Sequence, residues 1–384
     1  MDTDLYGKCK IMILTASYGE GHNQAAGALR QQFVRQGVRS VQVLDLLAEA
    51  HPFLNSAIKY VYLKSSMLST TGLDYYGWSY YATRNMTSEN RLIKPVFSLG
   101  ARKLKELIST ERPDAIISTF PHLDVSEICR YVGAVVPTFT VLTDFALHNR
   151  WILSKNDKFY VATDELRDKM IEQGIPADQV KTSGIPIRHS FYETQNIEEI
   201  RRKYDLNPNM RTTLVLAGAY GVMQFTERIV RKLAAIPGNQ VVVVCGKNER
   251  LKTNLTASLQ GEPRIKLLGY VENMHELMAV ADCAVTKAGG ITLSEAIQMN
   301  MPPLIFKPFP GQERENAKYL AGKGAAIVSN DFERFTLQAT ALLSDPEQMR
   351  RMKQRLAELA SDRASECIVT DVLHTIRSKM TLQH

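Results

Sequence analysis

Two stretches of this chain put reactive residue types beside a glycine turn. The first is Thr286-Lys287-Ala288-Gly289-Gly290-Ile291-Thr292-Leu293-Ser294-Glu295-Ala296. Residues 282–286 are short and apolar enough for a buried strand, and Leu293, Ala296, Ile297 and Met301 recur at near-helical spacing. Gly289 and Gly290 therefore stand where a strand becomes a helix. Glycines there let backbone approach a ligand, and the unpaired N–H groups of a helix start attract an anion. Glu295, one turn in, is placed for a carboxylate accepting from a ribose diol. The plainer reading is a helix start capped by Thr292, with Glu295 in its first turn. Beyond it lies the loop Lys307-Pro-Phe-Pro-Gly-Gln312-Glu313.

The second stretch lies near the N-terminus. Residues 10–15 read as a buried parallel strand. They run into Ala16-Ser17-Tyr18-Gly19-Glu20-Gly21-His22, which opens a helix with Ala26, Leu29 and Phe33 on its inner face. No Gly-Lys-Ser/Thr follows, so this is not a P-loop. The third glycine of a dinucleotide fingerprint is also missing. A histidine at a helix N-terminus feels the positive dipole end, which favours the neutral, basic imidazole.

The elements that must hold these residues alternate along the chain. Strand-like runs lie near 10–15, 41–45, 115–118, 136–142 and 158–162, then near 212–217, 240–245, 265–268, 283–286, 303–306 and 325–328, with helical runs between. Such alternation predicts parallel sheets with crossover helices, and 384 residues predict two domains. The expected division is 1–190, 191–355 and a helical tail 356–384. Ligands of doubly wound sheets bind beyond the carboxyl ends of the strands. Two such domains facing across a cleft would bring the loops 15–22 and 286–295 together.

Composition narrows the class. The chain is 45% hydrophobic and 23% charged, which is globular, with a net charge of +7. Five scattered cysteines lack zinc spacing and are odd in number, so buried thiols in a reducing cytosol are expected. No signal peptide and no apolar run of about 18 residues is visible. Between His51 and Lys105 stand Lys59, Lys64, Arg84, Arg91, Lys94, Arg102, Lys103 and Lys105 against only Asp74 and Glu89. Tyr76, Trp78 and Tyr80 belong to a run of aromatics in the same segment. Basic residues with amphipathic aromatics suit an anionic membrane surface. A helical subdomain with a solvated charged face is the alternative, and no RNA-binding motif accompanies the patch.

Taken together, the motifs resemble a known family. They include Leu14-Thr-Ala-Ser-Tyr-Gly-Glu-Gly-His22, Val141-Leu-Thr-Asp-Phe-Ala-Leu-His148, Gly184-Ile-Pro-Ile-Arg188, Ala217-Gly-Ala-Tyr-Gly221, Leu268-Gly-Tyr-Val271, the stretch 286–296 and Pro308-Phe-Pro-Gly-Gln-Glu313. The chain resembles the diacylglycerol glycosyltransferases: bacterial processive diacylglycerol β-glucosyltransferases and plant monogalactosyldiacylglycerol synthases. Ala288, in place of a proline, and Glu20, inside the first glycine turn, depart from the pattern.

The resemblance implies a GT-B fold of two Rossmann-like domains, the first for the lipid acceptor and membrane, the second for a UDP-sugar. It implies inverting transfer of glucose from UDP-glucose to 1,2-diacylglycerol by an enzyme resting on the inner face of the cell membrane. His22 becomes the base, or the residue that orients a hydroxyl. Asp144 becomes its orienting partner or the base itself, while His148 reads as readily as structural. Gly19 and Gly21 shape the acceptor turn. Gly218, Gly221, Gly289, Gly290 and Thr292 line the diphosphate, Lys247 and Lys287 add charge or are solvated, and Glu295 holds the ribose. The Val271 backbone meets the uracil edge, and Gln312 and Glu313 meet the sugar or begin a polar helix. No Asp-x-Asp pair stands in a plausible loop, so neither metal nor cofactor is expected. The rival readings are a UDP-galactose-dependent synthase, a UDP-sugar epimerase, and a UDP-sugar-binding regulator without catalysis. Sequence leaves the number of sugars added and the oligomeric state open.

Overall fold

The computed structural model describes residues 6–17, 20–56, 80–84, 100–122, 125–217, 223 and 225–382. The chain forms two compact units, Met1–His189 with Ser361–His384, and Ser190–Ala360. Each unit holds a six-stranded parallel sheet.

In the first sheet the strands are β1 (Lys10–Thr15), β2 (Ser40–Asp45), β3 (Ala115–Ser118), β4 (Thr138–Val141), β5 (Lys158–Val161) and β6 (Val180–Thr182), ordered β2-β1-β3-β4-β5-β6. β1 shows why its sequence is an unbroken apolar run. Ile11 and Ile13 pack on one face with Leu29 and Phe33 of the helix Glu20–Arg35. Met12 and Leu14 pack on the other with Leu104 and Ile108 of the helix Ala101–Glu111. Successive side chains point to opposite faces, and both faces are covered. β6 was not anticipated. It is an edge strand of three residues, Val-Lys-Thr, too short and polar to form an apolar run.

The second sheet contains β7 (Arg211–Leu216), β8 (Asn239–Val244), β9 (Ile265–Leu268), β10 (Cys283–Thr286), β11 (Pro303–Phe306) and β12 (Ile327–Ser329), ordered β12-β11-β10-β7-β8-β9. Its core gathers Val215, Val241, Val243, Val285, Leu304 and Phe306 with helical Ile229, Leu233 and Phe335. The helix Pro346–Leu359, capped by Asp345, keeps Met352 in this core. The change of unit therefore falls after Ala360 rather than at the expected 355.

The last helix, Ala364–Leu382, belongs to the first unit. Ile368, Val369 and Val372 enter its core beside Phe33. Asp371 accepts from the Tyr160 hydroxyl at 2.7 Å and pairs with Lys158 at 2.7 Å and Lys181 at 3.2 Å.

Each sheet reverses direction once. From β1 the chain goes to β2 on one side and later to β3 on the other; β7 is likewise flanked by β8 and β10. The crevices at β1/β3 and β7/β10 are the switch points where doubly wound sheets take ligands.

Candidate active site

His22 lies in the first turn of the helix Glu20–Arg35, which leaves the carboxyl end of β1. Its Nδ1 is 2.8 Å from the Thr119 carbonyl oxygen and 3.0 Å from Thr143 Oγ1. A carbonyl can only accept, so Nδ1 carries the proton and Nε2 keeps the lone pair. Among the described residues Nε2 makes no hydrogen bond. The Phe120 ring meets the imidazole edge-on at 5.2 Å, and buried Trp151 lies 6.3 Å away. Burial pushes His22 below its ordinary range, opposed by the Asp144 carboxylate and the Thr119 carbonyl. The neutral state thus comes chiefly from desolvation, not from the helix dipole that sequence suggested. Glu20 is the first residue of the helix, where a carboxylate complements the positive end. Gly21 is inside the same first turn.

Asp144 is half-buried in the loop after β4, directly after Thr143. His148 caps the short helix Asn149–Ile152, its Nδ1 accepting from Arg150 N at 3.2 Å. Its Nε2 is 3.3 Å from Thr83 Oγ1, and Tyr80 packs on its ring at 4.8 Å. Tyr80, 8% exposed, is therefore core rather than an interfacial anchor. Gly19, Lys59, Lys64, Tyr76, Trp78, Arg91 and Lys94 lie outside the described residues. Within the described parts of the basic aromatic segment, Phe53 is 93% exposed.

In the second unit, β10 leads into the helix Gly290–Gln298. Gly289 is the N-cap, and no side chain caps this helix. Thr292 lies within its first turn, so its N-terminal N–H groups are left for another partner. Gly289 has φ −68° and ψ 135°, which any residue adopts, and a Cβ there would meet nothing within 4 Å. Neither backbone nor packing asks for glycine at this position. The helix ends at Gln298, and buried Met301 follows a left-handed Asn300, bonding back to the Ala296 carbonyl at 2.9 Å. Met301 thus belongs to the helix cap and not to the helical face. Glu295 is 5% exposed.

The loop before the helix is tied down. Fully buried Asn316 donates to the Ala288 carbonyl at 3.0 Å. Lys287 is half-buried with Nζ 3.6 Å above the Phe309 ring, so it is not simply solvated. Burial lowers it to about 8, with Glu313 pulling the other way. Glu313 accepts the Phe309 N–H at 3.2 Å, and Gln312 begins the helix Gln312–Gly322. Lys247 is exposed, 5.4 Å from the Tyr270 ring, and Val271 is half-buried after β9. Gly218 and Gly221 lie outside the described residues.

Sequence reasoning passed over Thr119, Phe120, Thr143, Trp151 and Asn316. The one available signal was position: Thr119 and Phe120 directly follow β3, and Thr143 follows β4 closely, at the ligand-binding ends of strands.

Two Rossmann-like units, one with a tautomer-locked histidine and one with an uncapped glycine helix start at its switch point, give this chain the GT-B architecture. Residues 22–187 match the family model of monogalactosyldiacylglycerol (MGDG) synthase, and residues 212–368 match the glycosyltransferase family 28 C-terminal domain. The chain is 41% identical over 365 residues to a processive diacylglycerol beta-glucosyltransferase of Bacillus subtilis, covering 95% of this chain and 94% of that one. It belongs to the processive diacylglycerol β-glucosyltransferase family. A Bacillus cereus relative of the same name is 40% identical over 365 residues, covering 95% of this chain and 93% of that protein. Among solved structures, Acinetobacter baumannii MurG superposes with a TM-score of 0.60 at 15% identity, covering 95% of this chain and 99% of that one. At that identity the likeness concerns the fold alone.

Proposed function

We propose that this chain moves glucose from UDP-glucose to the hydroxyl of 1,2-diacylglycerol, with inversion at the anomeric carbon. The observation that carries this reading is His22, whose Nδ1 is held by the Thr119 carbonyl and whose Nε2 is left basic. As the acceptor oxygen bonds to the sugar C1, its proton passes to Nε2 and the C1–O bond to UDP breaks. Asp144 supports the imidazolium that forms. The helix start at Gly289 and Gly290, with Lys287, receives the departing diphosphate, and Glu295 accepts from the ribose. Val271, Gln312 and Glu313 meet the uracil and the sugar. Backbone dipoles take the place of a metal, so activity should survive EDTA.

UDP-galactose is the second reading, favoured by the family model over residues 22–187. Glucose is preferred because the relatives matched over 95% of the chain are glucosyltransferases by name.

The acceptor is insoluble, so the enzyme meets it at a membrane surface, which we assign to the inner face. Among the described residues no helix is long and apolar enough to cross one. Exposed Phe53, beside the basic segment that follows it, supports peripheral docking.

The test is to incubate the purified chain with anionic vesicles containing diacylglycerol and each UDP-sugar, and to identify the lipids formed. Glucolipid is the expected product. Galactolipid alone would select the second reading, and UDP binding with no lipid product would leave the regulator.

A further inference from the structure

His22 is half of an exchange across the β1–β3 pair. It follows β1, and its Nδ1 bonds the Thr119 carbonyl just past β3. His122 follows β3, and its Nε2 lies 3.3 Å from the carbonyl of Thr15, the last residue of β1. Phe120 packs against both rings, with centroids 5.2 Å from each. The mechanism above uses His22 and leaves His122 idle.

A backbone carbonyl fixes the tautomer of His122 as well. Nε2 faces a carbonyl and therefore carries the proton, so Nδ1 keeps the lone pair. Among the described residues Nδ1 makes no hydrogen bond. Burial holds His122 at about 4, so the ring is neutral in the working range. One switch point thus carries two neutral imidazoles, each with one accepting nitrogen. A half-buried accepting nitrogen takes an N–H or O–H donor, and the donors a lipid acceptor brings are hydroxyls. 1,2-Diacylglycerol has a single hydroxyl and can serve one of them. A hexose headgroup offers several hydroxyls on neighbouring carbons.

We infer that His122 positions a glycosylated lipid acceptor: Nδ1 accepts from one ring hydroxyl of a hexosyl-diacylglycerol while His22 Nε2 takes the proton of the attacking hydroxyl. This deepens the proposed function and rests on it. In the second transfer the attacking oxygen bonds to C1 of the donor sugar and the C1–O bond to UDP breaks. The electron pair leaves on the diphosphate and the proton goes to His22. His122 neither gains nor loses a proton; it sets which acceptor is held.

Two substitutions separate this role from simple bracing of the strands. His122→Gln keeps an N–H near the Thr15 carbonyl and removes the accepting nitrogen. His122→Asn keeps an acceptor near the Nδ1 position and loses the bond to Thr15. With UDP-glucose as donor, kcat/KM is measured in mixed micelles on diacylglycerol and on monoglucosyl-diacylglycerol. His122→Gln should lower the ratio of glycosylated to plain acceptor about tenfold, and His122→Asn should bring it back to within about threefold of the parent. An unchanged ratio in His122→Gln, or the same loss in both variants, overturns the inference. A parent that uses diacylglycerol but not its monoglucosyl derivative also overturns it and leaves the proposed function standing. If the parent uses neither, the proposed function falls, and the inference with it.

Discussion

The Nδ1 of His22 lies 2.8 Å from the carbonyl oxygen of Thr119, and that bond decides which nitrogen of the imidazole can act as a base. Thr143 shares the same Nδ1 proton at 3.0 Å. His22→Ala should leave UDP affinity nearly intact in calorimetry and cut turnover by a factor on the order of 10² to 10⁴. Thr143→Val should cost about tenfold or less, because the carbonyl still holds the tautomer. If turnover of His22→Ala survives within a few-fold of the parent, Asp144 becomes the base. Because His22 sits below its ordinary 6.5 in the free protein, kcat/KM should hold its plateau as pH falls past 6.5 and drop only in more acid solution. A kcat/KM already halved at 6.5 would contradict that.

Gly289 offers a test of the donor half-site. Its backbone suits any residue and a Cβ there has nothing within 4 Å. Gly289→Ala should therefore change unfolding free energy by less than about 1 kcal/mol. The added methyl would occupy open space beside the helix start to which the diphosphate is assigned, so UDP affinity should fall by roughly tenfold or more. Calorimetry and thermal melting on the same preparation separate the two effects. Full UDP affinity in the variant would remove the diphosphate from this helix start.

His148 should make the protein acid-sensitive. Burial first, then Arg150 and Arg84, bring it to about 4 from 6.5. Below 6.5 the unfolded chain takes up this proton and the folded chain does not. The stabilisation is therefore complete above 6.5 and is lost as pH falls toward 4, roughly 3 kcal/mol in all. Protonation would also end its acceptance from Arg150 N. His148→Asn keeps a helix-capping acceptor without the titration. Its melting temperature should fall less steeply between pH 6.5 and 4 than the parent's, and parallel slopes would assign the acid sensitivity elsewhere.

Asp371 pins the last helix to the first sheet. Asp371→Ala leaves Lys158 and Lys181 unpaired and the hydroxyl of buried Tyr160 without its acceptor. The cluster is partly open to solvent, so the expected loss is about 2–3 kcal/mol rather than the larger cost of a sealed pair. Tyr160→Phe removes one bond and should cost about 1 kcal/mol. Urea unfolding would measure both. Equal costs would mean that the lysines find no use for the carboxylate.

Local sequence reached a long way into this protein. The unbroken apolar run 10–15 identified a strand covered on both faces, and the glycine turns identified where strands become helices. These are short-range matters, because period and turn chemistry act over a few residues. His22 at a helix start and Gly289 before another were legible for the same reason. Tertiary structure alone decided the rest. Thr119 and Thr143 stand 97 and 121 positions from His22, and they meet it only because β1, β3 and β4 are neighbours in one sheet. That adjacency locks the tautomer, sets the cause of the depressed pKa and brings His122 to the same crevice. Tyr80 became core through a partner, His148, far along the chain, where composition alone had suggested a surface anchor. β6 needed the edge of a finished sheet before three residues with one apolar side chain could become a strand. A residue's type states what chemistry it can do, but sheet order and register decide which partners set its protonation and its environment.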